Sequence, residues 1–193
     1  MPLAEVLEVT LRVARILEEL GVPYLVGGSL ASSLHGIPRS TQDVDLVAAL
    51  RQEHVEPLLR ALQAEYYVSA DAMRDAIRQR SCFNLIEQRT VYKIDIFVLA
   101  DDALSRFEMQ RREEVVVDDA GTARLVVASA EDIVLQKLAW FRLGGESSER
   151  QWRDAQGVLK VQRQRLDLAY LRERAAETSL VELLDRALGE AGL

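Results

Sequence analysis

Residues 42 to 49 alternate Asp43, Asp45 and Val47 with Val44, Leu46 and Ala48, the period of two that sends successive side chains to opposite faces of a β-strand. Asp is depleted from strands, yet these two interrupt an apolar strand pattern, and Asp95 does the same in Lys93-Ile94-Asp95-Ile96-Phe97. Such a conflict between local preference and pattern points to function. Side chains two apart on a strand lie roughly 6.5 to 7 Å apart on one face, so Asp43 and Asp45 project together. Two carboxylates so close repel, and a divalent cation removes the repulsion. A hard cation such as Mg²⁺ takes one or two protein carboxylates plus substrate phosphates. Asp95, on a neighbouring strand, supplies a third carboxylate for a pair of metals about 3.5 to 4 Å apart.

The other half of a nucleotide site precedes this strand. Tyr24 to Val26 is a short apolar run that stops at Gly27-Gly28-Ser29, and a short helix over 30–34 ends at His35-Gly36-Ile37-Pro38. Two glycines let the backbone approach a ligand closely, Ser29 adds a hydroxyl, and the following helix start presents unpaired N–H groups to phosphate. Thirteen residues separate Ser29 from Asp43. That is enough for a helix and a return strand that sets the carboxylates beside the phosphate loop.

Around this centre, residues 3–20 show helical spacing closed by Gly21, and residues 52–64 return to it. Residues 69–80 are polar and weakly helical. Residues 82–87 and 91–99 flank a polar turn as a hairpin, and residues 113–117 and 124–127 flank Asp118-Asp119-Ala120-Gly121 as a second. Ser129-Ala130-Glu131-Asp132 opens a helix running to Leu143, with Ser129 as cap and two acids in the first turn. Gly144 to Ser148 reads as a linker, and 149–163, 167–177 and 179–190 as three more helices. The expected fold is α+β: a mixed sheet flanked by helices over 1–128, then a helical bundle over 129–193.

Composition excludes several classes. Of 193 residues, 49% are hydrophobic and 28% charged, enough for a folded core. Cys82 is the single cysteine and there are two histidines, so no intramolecular disulfide and no Cys/His zinc set can form; any metal sits on carboxylates. An acidic amphipathic start and the lack of a long apolar run lead us to expect a cytoplasmic protein without membrane partners. A net charge of −7 argues against a broad nucleic-acid-coating surface. Lys137 to Arg174 nonetheless holds nine basic residues against five acidic ones, a local +4 that suits either ordinary helix surfaces or an RNA or triphosphate contact.

Several residues have ordinary readings beside functional ones. Arg39 either anchors phosphate or pairs with an Asp, and Lys93 can pair with Asp95. His35 suits a helix C-terminus. Trp140, Phe141 and Trp152 read as bundle core, and Cys82 as a small buried hydrophobe.

Val26-Gly27-Gly28-Ser29, then Asp43-Val44-Asp45-Leu46, then Ile94-Asp95-Ile96, resembles the signature of the DNA polymerase β-like nucleotidyltransferase superfamily. The string from Gly36 to Asp45 is similar to its minimal bacterial members, including the abortive-infection (AbiEii-type) toxins. In that toxin type a lysine and an aspartate on later helices are functional, and Lys137 and Arg153-Asp154 stand at matching places. Ala155-Gln156-Gly157 departs from the toxin pattern, which often carries another Asp there.

The resemblance implies an Mg²⁺-dependent enzyme, with two ions in turnover, that moves a nucleoside monophosphate from an NTP to an acceptor hydroxyl and releases pyrophosphate. Gly27, Gly28, Ser29, Arg39, Thr41 and Lys137 would bind the nucleotide, and Asp43, Asp45 and Asp95 the metal. Either Asp95 or Asp154 would serve as base. The acceptor would be an RNA such as tRNA, a protein or a small molecule, and a toxin role would imply a cognate antitoxin. The alternatives are a catalytically silent nucleotide- or partner-binding module on the same fold and a nucleotide-sugar transferase.

Overall fold

The computed structural model describes residues 3–41 and 43–193; Gln42, expected to open the central strand, lies outside the described residues. Tertiary packing divides the chain into two units, one of residues 1–30 and 40–127, the other of residues 31–39 and 128–193.

The first unit is a seven-stranded mixed sheet with helices. Its strands are β1 (Tyr24–Val26), β2 (Asp43–Ala48), β3 (Tyr66–Tyr67), β4 (Cys82–Glu87), β5 (Lys93–Val98), β6 (Glu113–Val116) and β7 (Arg124–Val127), in the order β3-β4-β5-β2-β1-β7-β6. β2 sits at the centre, antiparallel to β1 and parallel to β5. The alternation read from the sequence holds: Val44, Leu46 and Ala48 are buried, while Asp43 is exposed and Asp45 half-buried. Ile94, Ile96 and Val98 of β5 and Phe83 and Leu85 of β4 continue the same buried face. Helices α1 (Leu3–Glu19), α3 (Val55–Leu62) and α4 (Ala70–Gln79) pack with one another and against the sheet.

Between α1 and α3 runs α2 (Gly28–His35), which begins at Gly28 rather than Leu30, so Gly28 and Ser29 form its first turn. The weakly helical stretch is a full helix, α4, because Ser69 caps it by accepting the Ala72 N–H. Two elements carry no sequence signal: the two-residue β3, held by pairing with β4, and α5 (Ala103–Arg111), capped by Asp102 through the Ser105 N–H. Both hairpins form, β4 with β5 and β6 with β7. Asp118 accepts the N–H groups of Thr122 and Ala123 at 2.8 Å across the second turn.

The second unit collects α6 (Ala130–Leu143), α7 (Glu149–Gln162), α8 (Leu168–Glu177) and α9 (Val181–Ala191) with residues 31–39. Ile133, Leu138, Val158, Leu171 and Leu184 form its core. Gly36 passes the backbone of α7 so closely that a Cβ there would lie 2.7 Å from the Val158 nitrogen. Ser129 accepts the Asp132 N–H as the expected cap. Phe141 is buried and packs on Trp152 at 5.0 Å, but Trp140 is 54% exposed and outside the core. Among the described residues no helix is long and apolar enough to cross a membrane.

Candidate active site

The carboxylate face of β2 continues onto its neighbour. Parallel pairing sets Asp45 beside Asp95, and antiparallel pairing sets Asp95 beside Asn84. Adjacent strands lie roughly 4.8 Å apart and register partners share a face, so Asp45, Asp95 and Asn84 form a row across three strands, with Asp43 one step along β2. Cys82 belongs to this open face, opposite Phe97, which is why it is exposed rather than buried as its small apolar character suggested. Partial desolvation against the sheet and the nearby carboxylates Asp95 and Asp45 push its thiol up to about 11, outweighing Lys93.

The Gly-Gly-Ser turn closes on one end of the row. The Gly27 N–H donates to the Asp45 carbonyl at 2.8 Å, extending the β1–β2 ladder by one bond. Gly28 then takes φ +57°, and a Cβ built on it would overlap Asp45 Oδ2 and lie 2.6 Å from Cγ. The Asp45 carboxylate therefore occupies the volume of the missing side chain, against the first turn of α2. Ser29 lies in that turn, half-buried. Thr41 is buried and its hydroxyl donates to the Asp43 carbonyl at 3.0 Å, which fixes the chain as it enters β2.

Lys93 lies two residues before Asp95, on the same face and beside Asp43. Its Nζ is 2.7 Å from Asp95 Oδ2. That hydrogen bond, helped by the charges of Asp95, Asp43 and Asp45, raises the lysine above its ordinary pKa despite partial burial. The remaining expected site residues meet in the second unit. Arg39 donates Nε and Nη2 to Asp154 Oδ1 and Oδ2 at 2.7 and 2.8 Å, and Lys137 Nζ lies 3.0 Å from Oδ2. Burial pulls the Asp154 carboxyl upward, but Arg39 and Lys137 together hold it below the usual carboxylate range. Arg39 is thus paired with an Asp, and Asp154 has a salt bridge on each oxygen. His35 is buried, with Nε2 2.7 Å from the Ala128 carbonyl.

The donor set of the row fits a hard divalent cation. Its donors are the oxygens of three carboxylates and the Asn84 amide, Asp43 is exposed, and among the described residues no three Asp, Glu, His or Cys side chains form a ready-made cage. Mg²⁺ matches that, because it uses few protein carboxylates and completes its shell with phosphate oxygens and water.

Neither any family model nor any curated protein matches the chain. Solved structures do. An antigenic nucleotidyltransferase-like protein from Paracoccidioides brasiliensis superposes with a TM-score of 0.56 at 18% identity, over 95% of this chain and 92% of that one. The antibiotic-resistance factor ANT(2″)-Ia superposes with a TM-score of 0.53 at 16% identity, over 95% and 97%. A lincosamide antibiotic adenylyltransferase with lincomycin bound gives 0.51 at 17% identity, over 76% and 92%. The strand order, the Gly-Gly-Ser turn and these superpositions together show that the chain is built on the nucleotidyltransferase fold.

Proposed function

We propose that this chain is a nucleotidyltransferase that moves a nucleoside monophosphate from an NTP to an acceptor hydroxyl with release of pyrophosphate. One observation carries the reading: the Asp45 carboxylate lies in the space left by Gly28, joining a helix start suited to phosphate to a row of strand carboxylates. Gly28 makes room for the Asp45 carboxylate against the first turn of α2, the N–H groups of that turn face the triphosphate, and Ser29 donates to it. Asp43 and Asp45 hold the divalent cation, Mg²⁺ in this reading. When bound, that ion neutralises charge on the phosphates. Asp95 stands next along the row, where it orients the acceptor hydroxyl and takes its proton.

Asp154 suits a positioning role better than that of a base. A carboxylate gripped by a guanidinium fork and an ammonium accepts a proton poorly. Arg39 and Lys137 then anchor residues 36–39, the segment leading to Thr41 and Asp43, and their part in nucleotide binding is indirect. The acceptor is a small molecule in the reading favoured by fold neighbours whose structures carry lincomycin and an adenylylated tobramycin. A toxin acting on tRNA or protein would instead require an antitoxin.

The decisive experiment incubates the protein with Mg²⁺, each α-labelled NTP and a cell extract, then separates protein, RNA and small molecules. Label entering one fraction, and absent with an Asp43→Ala, Asp45→Ala variant, supports transfer; full activity in that variant sinks it. A second reading, a silent binding module, draws on the Lys93–Asp95 ion pair. NTP binding with no label moved into any fraction would favour it. A product mass showing a transferred sugar would identify a nucleotide-sugar transferase.

A further inference from the structure

The carboxylate row carries a basic residue of its own. Lys93 shares a face with Asp95 and stands beside Asp43 in the β2–β5 register. Its ammonium touches Asp95 Oδ2 at 2.7 Å while its side chain stays 42% exposed. The other lysine–aspartate pair is built differently: Lys137 is 4% exposed, and the Asp154 it meets, 6% exposed, is also gripped by the Arg39 fork. Lysine is a compact point charge on a flexible stem, able to leave one oxygen and re-enter water, whereas arginine holds a carboxylate with a planar fork. The chain strongly prefers arginine: Lys93, Lys137 and Lys160 are the three lysines among 24 basic residues. A lysine at the row is therefore the releasable choice.

We propose that Lys93 is a displaceable counter-ion of the carboxylate row, holding Asp95 Oδ2 in the metal-free chain and giving it up when a divalent cation binds there. The inference rests on the reading of Asp43 and Asp45 as a divalent-cation site with Asp95 next along the row. An ammonium and a divalent cation cannot both press on one carboxylate oxygen without strong mutual repulsion. Lys93 thus sets the metal concentration at which Asp95 is freed for the ion or for the acceptor proton. It is a positioning residue, acting through Asp95. Breaking the charged hydrogen bond that Lys93 makes to Asp95 Oδ2, which the ion must do to reach that oxygen, corresponds to about tenfold in affinity.

The test is Mn²⁺ binding to the whole chain, without nucleotide, read from the electron paramagnetic resonance signal of free Mn²⁺. Lys93→Met is expected to bind Mn²⁺ about tenfold more tightly than wild type, and Lys93→Arg more weakly. In an Asp95→Asn background the Lys93→Met gain should vanish. Equal affinity across the series overturns the proposal. So does a gain that survives Asp95→Asn, because that would be general electrostatics. Circular dichroism verifies that each variant is folded.

The wild type gives an independent readout, which serves if Lys93→Met fails to fold. With ¹⁵N-lysine labelling, three Nζ environments exist, and Mg²⁺ should move that of Lys93 towards the position of a solvated lysine. A Lys93 signal unchanged at saturating Mg²⁺ overturns the proposal. Loss of the underlying reading is distinguishable: Mn²⁺ binding indifferent to Asp43→Asn and Asp45→Asn removes both, whereas binding that needs them but ignores Lys93 removes this inference alone.

Discussion

A methyl group at position 28 has no room. Gly28→Ala would place it on the Asp45 carboxylate and force a left-handed backbone on a residue with a side chain, which costs about 1 to 2 kcal/mol before any clash. Gly21 has a similar φ of +65° with nothing within 4 Å of a Cβ, so Gly21→Ala isolates the backbone cost. We expect both variants to lose that stability in thermal unfolding, and only Gly28→Ala to lose Mn²⁺ binding, by tenfold or more. Asp154 gives a second prediction. Asp154→Asn leaves Arg39 and Lys137 without their shared counter-charge, and breaking a buried pair from one side costs about 3 to 5 kcal/mol. Because its folded pKa lies below the ordinary value of about 3.9, its stabilisation is complete above that pH and is lost as pH falls through the folded value. Urea unfolding should therefore show a large wild-type advantage at pH 7 that narrows by pH 3. At this scale the sequence exposed Asp43, Asp45 and Asp95 because aspartate offends a strand pattern. It could not reveal that Arg39 meets Asp154, since a pairing 115 residues apart leaves no local trace.

β2 is the element on which the others depend, paired on both sides with its apolar face covered. Leu46 is fully buried there, so Leu46→Ala should cost about 2 to 5 kcal/mol in chemical denaturation. The turn of α2 makes the complementary functional prediction. Ser29→Ala should raise the KM for NTP about tenfold or more, the worth of a hydrogen bond to a charged group, with a smaller change in kcat. Equal falls in kcat and kcat/KM would instead place Ser29 in the transition state alone. Strands and long helices were legible because their periods are written in consecutive residues. α4 gave only a weak helical signal, though Ser69 marks its start, and β3 gave none because it exists through pairing with β4.

Over the whole molecule, charge decides between kinds of acceptor. Five of the nine basic residues of 137–174 are engaged within the second unit: Lys137 on Asp154, Arg153 on Glu149, Arg174 on Glu173 and Glu177, and Arg142 and Arg163 on the carbonyls of Ser179 and Gly192. With a net charge of −7, this chain should bind tRNA with a salt slope worth no more than about two phosphate contacts, measurable by fluorescence anisotropy between 50 and 200 mM salt. A steep slope would return the acceptor reading to RNA. By itself the sequence determined the strand that bears Asp43 and Asp45, the glycine turn before it and the helices after it, because backbone period, turn chemistry and capping act between near neighbours. Only the tertiary structure decided that Asp95 stands beside Asp45, that Asp45 fills the space at Gly28, and that residues 31–39 pack with 128–193. Those are matters of register and packing between segments far apart in the chain, and hydrogen-bond ladders and buried ion pairs fix them only once the chain has folded.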